Sequence, residues 1–365
     1  MAAQKIYVAV VGVGLVGSEL IAQLLALPSS PFRLISLTST TRTLFSSTSL
    51  TSTWKSQLAA SSDKPDLTKL SQQLSALVSE SKVALIDNTS SEDVAKMYPT
   101  WLKAGISVIT PNKKAFSGDK SLYDQIIAAI RSPTGGRVYN EATVGAGLPV
   151  ISTLKDLVGT GDKIVKIEGV FSGTMSYIFN EFSTGKSDGP AFSAVVKLAR
   201  EKGYTEPHPA DDLNGFDVAR KLTILARTIS TYSLSATSLP ELDSFAAVKT
   251  ASLIPSALEN IPTGDEFIAR LPEFDAEFNE LRTKASQDGQ VLRFVGVVDP
   301  VNGIVRAGLE RYPTTHPFAT SLGGSDNIIM FHTERYGARP LIVQGAGAGA
   351  AVTAMGVLGD LLKLV

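Results

Sequence analysis

Ile6-Tyr7-Val8-Ala9-Val10-Val11-Gly12-Val13-Gly14-Leu15-Val16-Gly17 is the stretch on which the reading of this chain turns. Its first six residues suit a buried strand, and its three glycines fit G-x-G-x-x-G where a strand passes into a helix. Gly12 permits the tight turn, Gly14 lets backbone approach a pyrophosphate, and Gly17 lets helix and strand pack closely. The helix start adds N–H groups and the positive end of its dipole. Gly12, Val13, Gly14, Leu15, Val16 and Gly17 are therefore expected to bind a dinucleotide. A glycine turn that serves packing alone is the plainer alternative.

Downstream the pattern alternates. A helix over Leu15–Leu27 stops at Pro28, and Arg33–Leu37 reads as a second strand. Ser36–Ser56 holds 14 serines or threonines among 21 residues and reads as a solvated loop. Val83–Ile86, Ile106–Thr110 and Val138–Tyr139 read as further strands. Lys69–Ser79, Val94–Ala104 and Ser121–Ile130 read as helices, with Pro99 placed to kink or break the second. Strands and helices alternating at this pace imply βαβ units and a parallel sheet, the Rossmann form of an α/β fold. After about residue 150 the pattern becomes α+β with a mostly antiparallel sheet. Lys163–Val170, Val291–Val298, Ile304–Leu309, Ile328–Thr333 and Leu341–Val343 supply its strands.

Composition excludes several chemistries. Cysteine is absent, so thiolate catalysis, disulfides and Cys-ligated metals are ruled out. That removes acyl-thioester dehydrogenases, which need a catalytic thiolate. The three histidines, His208, His316 and His332, lack metal-ligand spacing. A formal net charge of -1 with no basic run argues against nucleic acid as a partner. Leu341–Leu358 lacks charge, but its glycines suit a strand, a turn and a close-packed helix better than a membrane span. No signal peptide is visible, so a cytoplasmic protein is expected.

Ligands of such sheets lie beyond the carboxyl ends of the strands. The second strand ends in Thr38-Ser39-Thr40-Thr41-Arg42 rather than in a carboxylate. Arg42 can pair with a 2′-phosphate, which predicts good use of NADPH; a solvated arginine is the alternative. Asp87–Ser91 and Thr110–Lys114 end two more strands, and Lys113 there can face a cofactor and a substrate oxyanion or be an ordinary surface charge. Asn140–Pro149 carries Glu141, Gly145 and Gly147. A backbone bent there can aim carbonyls inward and form an oxygen-lined pocket for a hard cation, or can simply join two domains.

The densest polar stretch is Lys202–Lys221. Glu206, Asp211 and Asp212 lie on a proline-stiffened loop, and Asn214 or Asp212 could cap the helix that follows. On that helix Val218, Leu222, Leu225 and Ile229 share one face, with Arg220 and Arg227 marking the wet one. Asp217 and Lys221 are one turn apart, so their side chains can meet. Hydride transfer to a carbonyl builds charge on oxygen, and a nearby ammonium can stabilise it and supply the proton. Loop carboxylates could bind the ammonium of an amino-acid substrate. A surface ion pair is the alternative, as is a non-catalytic NADPH sensor, though a sensor has no use for Asp217, Lys221 and Glu206 together.

With these blocks in view, the chain resembles homoserine dehydrogenases, most closely the short monofunctional fungal form. The matching blocks are Gly12–Gly17, Asp87–Ser91, Thr110–Phe116, Glu141–Pro149, Gly169–Phe182, Lys202–Ala226 and Gln344–Gly359. The resemblance implies reversible NAD(P)H-dependent reduction of L-aspartate 4-semialdehyde to L-homoserine, on the route to threonine and methionine. It implies Lys221 as the acid–base residue, Asp217 as its partner, and Lys113 at the cofactor and the reacting oxygen. Glu206, Asp212, Thr174 and Tyr204 would bind substrate; Thr89, Gly173 and Gly349 would touch the cofactor. A sodium-like cation would be held by Glu141 and the carbonyls of Val144, Ala146 and Leu148. The implied organisation is a nucleotide-binding domain over 1–150, a catalytic and dimerisation domain over 151–340, and a segment 341–365 returning to the first domain. A homodimer through the second sheet is implied as well. One departure stands out: His208 occupies a loop position where relatives commonly carry a carboxylate.

Overall fold

A computed structural model describes residues 5–365. The chain forms two compact units: residues up to Pro149 together with Ala348–Val365, and Val150–Gly347.

The first unit is built on a six-stranded sheet. Its strands are β1 (Ile6–Val11), β2 (Phe32–Thr38), β3 (Thr43–Phe45), β4 (Lys82–Asp87), β5 (Ser107–Ile109) and β6 (Val138–Tyr139), in the order β3-β2-β1-β4-β5-β6. All neighbours run parallel except β2 and β3. From β1 the chain winds to β2 on one side and later to β4 on the other. The carboxyl ends of β1 and β4, where Val11 pairs with Asp87, therefore form the switch point of the sheet. Val8, Val10, Leu34, Leu37 and Ile86 pack with Leu20 and Leu24 of the Leu15–Ala26 helix. Ala354, Val357 and Leu361 of the C-terminal helix, Ala350–Leu362, join the same core. Burying a side chain the size of Leu361 contributes about 2 kcal/mol.

One expectation for this unit needs correction. Ser36–Ser56 is not a solvated loop. Ser36, Leu37 and Thr38 complete β2 and are buried, β3 follows, and Leu50 and Trp54 are buried too. Threonine tolerates a strand when its hydroxyl is satisfied: Thr38 and Thr43 share a hydrogen bond at 2.9 Å, and Thr43 also donates to the Leu37 carbonyl. The break expected of Pro99 within Val94–Ala104 is present but falls two residues earlier, at Met97, between the helices Glu92–Lys96 and Tyr98–Lys103. Pro99 lies in the first turn of the second, where its missing N–H costs nothing.

The second unit holds β7 (Ile164–Val170), β8 (Lys249–Thr250), β9 (Gln290–Asp299), β10 (Ile304–Pro313), β11 (Asp326–Thr333) and β12 (Leu341–Ala346), in the order β12-β11-β7-β9-β10-β8. Every pair is antiparallel except β10 with the two-residue β8. Because Leu341–Ala346 pairs with β11, the boundary expected at residue 340 falls at 347 instead. The Phe216–Tyr232 helix packs on β9 and β10, and it has no wet face at Arg227. Arg227 is buried and donates to the carbonyls of Leu242 and Asp243. The segment after Ser238 supplies those carbonyls. Among the described residues no helix is long and apolar enough to cross a membrane.

Candidate active site

The glycine turn lies in the first unit. Gly12 has φ +88°, and a Cβ there would sit 2.8 Å from Thr89 Cγ2 and 2.9 Å from the Asn88 carbonyl carbon. A Cβ on Gly17 would sit 2.0 Å from Gly12 O. A Cβ on Gly14 would meet nothing within 4 Å. Packing thus requires glycine at 12 and 17, while the backbone at Gly14 faces open space. The Leu15–Ala26 helix begins there with no side-chain cap and no acid in its first turn. Its leading N–H groups suit an anion, so a dinucleotide pyrophosphate fits these residues.

Polar residues at the ends of β4 and β5 are organised by one buried carboxylate. Asp87 Oδ2 accepts from Tyr98 OH at 2.5 Å and from Asn112 Nδ2 at 3.0 Å, and Oδ1 accepts from Thr89 N at 2.8 Å. Burial pushes the Asp87 carboxyl up, opposed by the bonds from Tyr98, Thr89 and Asn112. The network sets the Thr89 turn beside Gly12. It also fixes the Asn112 turn from which half-buried Lys113 starts the short Lys114–Ser117 helix. Arg42 is exposed, and its Nη1 donates to the carbonyls of Ala59 and Ser61, so part of its fork is already engaged. Gly349 opens the C-terminal helix with φ +121°.

Glu141 starts a one-turn 3-10 helix over Glu141–Thr143, and the chain then bends through Gly145 (φ +80°) and Ala146 (φ +55°). Val144 and Ala146 are buried and Leu148 is half-buried. The Glu141 N–H donates to Asp360 Oδ2 at 2.8 Å, and Lys363 Nζ lies 2.7 Å from Asp360 Oδ1 and 3.7 Å from Glu141 Oε2. Among the described residues no cluster of three or more acidic or histidine side chains could hold a metal. A cation here would rest on one carboxylate and on backbone carbonyls, an all-oxygen set that suits a hard ion.

A second group of candidate residues lies in the second unit. Lys221 Nζ is 2.7 Å from Asp217 Oδ2 and donates to the Phe171 carbonyl at 2.6 Å. Lys221 is only 6% exposed, so this is not the surface ion pair that sequence spacing alone allowed. Asp212 is locked into the same unit. Its Oδ1 accepts from Thr174 Oγ1 at 2.9 Å and its Oδ2 from the Glu206 N–H at 2.8 Å, while Thr174 Oγ1 also bonds the Tyr204 carbonyl. Burial pushes the Asp212 carboxyl up to about 6, and the charges of Glu206 and Asp217 add to the shift. Thr174, Tyr204, Glu206 and Asp212 thus converge, with Asp217 close enough to act on Asp212. Gly173 opens the Gly173–Phe182 helix, capped by Ser172.

The helix carrying Lys221 is not capped by Asp212. It begins at a left-handed Gly215, and Asn214 Oδ1 accepts from the Phe216 N–H at 2.8 Å. His208 bonds the Ile261 carbonyl through Nε2 and the Ala210 N–H through Nδ1, and lies against Phe267. It is a loop-bracing side chain. Two features escaped the sequence. The Phe171 carbonyl is backbone and leaves no mark in residue type, and Tyr98 carries no motif.

The family model described as Homoserine dehydrogenase matches residues 149–362, more than half of the chain. The chain belongs to the homoserine dehydrogenase family. A second model, Homoserine dehydrogenase, NAD binding domain, matches residues 12–141. A homoserine dehydrogenase of Saccharomyces cerevisiae is 47% identical over 370 residues, covering 100% of this chain and 99% of the relative. One of Schizosaccharomyces pombe is 52% identical over 282 residues, covering 77% and 72%. Among solved structures, a Candida auris protein of unknown function superposes with TM-score 0.92 at 43% identity, covering 99% and 98%. A hyperthermophilic archaeal homoserine dehydrogenase in complex with NADPH superposes at 0.67 and 21% identity, covering 98% and 97%, and shares the fold.

Proposed function

We propose that this member of the homoserine dehydrogenase family reversibly reduces L-aspartate 4-semialdehyde to L-homoserine, with Lys221 as the proton carrier. The observation that carries the reading is a buried ammonium held between a carboxylate and a carbonyl. When bound, NAD(P)H supplies the hydride that reaches the aldehyde carbon. Lys221 Nζ stabilises the negative charge growing on the aldehyde oxygen and donates the proton that makes it a hydroxyl. In the reverse direction the neutral amine takes that proton back. Asp217 orients the side chain and favours its charged form. Glu206 and Asp212 attract the substrate's ammonium, with Thr174 and Tyr204 fixing the Asp212 carboxylate and its loop.

Gly12–Gly17, Thr89, Lys113, Gly173 and Gly349 are assigned to the cofactor. The absence of a carboxylate at the end of β2, with Arg42 beside it, supports acceptance of NADPH. The Glu141 loop, with the carbonyls of Val144, Ala146 and Leu148, is assigned a sodium-like cation. A homodimer is assigned to the second sheet, where Ile342 on β12 is 42% exposed.

The test follows absorbance at the nicotinamide band with homoserine and NADP. Lys221→Ala is expected to lower the rate by about 10²–10⁴ while cofactor affinity is kept. A variant with near-normal turnover would remove Lys221 from the mechanism.

A further inference from the structure

The carbonyl that receives Lys221 is itself held. Phe171 directly follows β7, and its oxygen accepts from Asn327 Nδ2 at 3.0 Å as well as from Lys221 Nζ at 2.6 Å. Asn327 lies on β11 and is fully buried. Its Oδ1 is buried too and has no hydrogen-bond partner. The amide therefore has one useful orientation. Turning it by half a rotation would set Oδ1 against the Phe171 oxygen, acceptor against acceptor. Backbone packing closes the space around it. A Cβ on Gly347 would sit 2.0 Å from Asn327 Nδ2 and 2.2 Å from its Cγ.

A buried amide with an orphaned oxygen is a poor choice for stability, because that oxygen gave up water and gained nothing. Its retained donor points at the carbonyl under the ammonium. Asp217, the other partner of Lys221, has a side chain 48% exposed to solvent. The buried carbonyl is the more rigid reference point for a lysine on a flexible four-carbon stem.

We propose that Asn327 is a positioning residue: its amide, clamped by the backbone at Gly347, fixes the Phe171 carbonyl and thereby the place of the Lys221 ammonium. The proposal rests on the reading of Lys221 as proton carrier, and the experiment separates the two.

Wild type, Asn327→Ala and Lys221→Ala are compared as full chains in homoserine oxidation with NADP across pH, with NADPH binding and melting temperature as fold controls. The alanine at 327 deletes donor and orphan acceptor together. Its kcat is expected to fall about tenfold through misplacement of the amine, with homoserine KM within about twofold and NADPH binding retained. A carbonyl free to turn stabilises an ammonium less, so the acid limb of the kcat profile is expected to move to lower pH. A wild-type kcat and limb in Asn327→Ala, beside an inactive Lys221→Ala, would overturn the positioning role alone. An active Lys221→Ala would remove both readings. If Asn327→Ala fails to fold, Asn327→Ser, too short to reach the carbonyl, carries the same expectations.

Discussion

The ammonium-binding role proposed for Asp212 makes substrate affinity depend on pH in a way that can be measured. Its carboxyl is pushed up to about 6 by burial, reinforced by the charges of Glu206 and Asp217. The ordinary value is 3.8, so between roughly 4 and 6 this group is protonated in the folded protein where a free one would be ionised. Its attraction for an ammonium is present above that upper value and lost as pH falls through it. In the reduction direction, the KM for aspartate semialdehyde is expected to rise up to about tenfold from pH 7 to pH 5, since about a tenth of the carboxyl stays ionised one unit below its titration point. Asp212→Asn should give a raised KM without that limb. A wild-type KM that is flat over the range would exclude Asp212 from ammonium binding. Lys221 makes the complementary point. Its identity and its spacing from Asp217 were legible, but its burial was not, because the carbonyl beneath it belongs to β7's end, 50 residues earlier in the chain.

At the scale of elements, the ends of β4 and β5 are shaped by contacts that run between them. Asp87 and Thr110 end neighbouring strands, and Tyr98, from the helix connecting those strands, bonds both at 2.5 and 3.0 Å. Tyr98→Phe keeps the ring but leaves a buried carboxylate oxygen with Asn112 as its remaining listener. The expected cost is about 1–3 kcal/mol, read as a fall in melting temperature, while surface Tyr336→Phe should leave the midpoint unchanged. An unaltered midpoint in Tyr98→Phe would show that the network does not stabilise the unit. The strand endings were readable as polar clusters, yet the tyrosine that ties them was not, since it lies in an apolar helix with no motif of its own. Ser36–Ser56 failed in the opposite way. Its hydroxyl-rich composition concealed β3, because threonine satisfied across a strand pair behaves as a β-former.

At the scale of the whole molecule, the assignment of a homodimer concerns the sheet face on which Ile342 lies. Pairing in register sets Ile342 beside Met330, and Met330 beside Glu168, so these three share a face. On that face Glu168 gathers Lys166, His332 and Tyr312, whose first two partners hold its carboxyl at about 2 against the opposing effect of burial. Sedimentation velocity at micromolar concentration is expected to report a dimer for the wild type and a monomer for Ile342→Glu, which places a charge on the proposed interface. A wild-type monomer would refute the dimer, and a dimeric Ile342→Glu would move the interface away from β12.

Local patterning by itself determined the α/β character of the first half, the glycine turn, the antiparallel second sheet and the Asp217–Lys221 pair. Each of these depends on residues within a few positions of one another, whose periodicity or spacing is visible in one dimension. Tertiary structure alone decided that Lys221 is buried, that Arg227 is covered, and that Asn327 meets Phe171. Those outcomes depend on hydrogen bonds and packing between segments tens to hundreds of residues apart, many of them made by backbone atoms that every residue type carries alike.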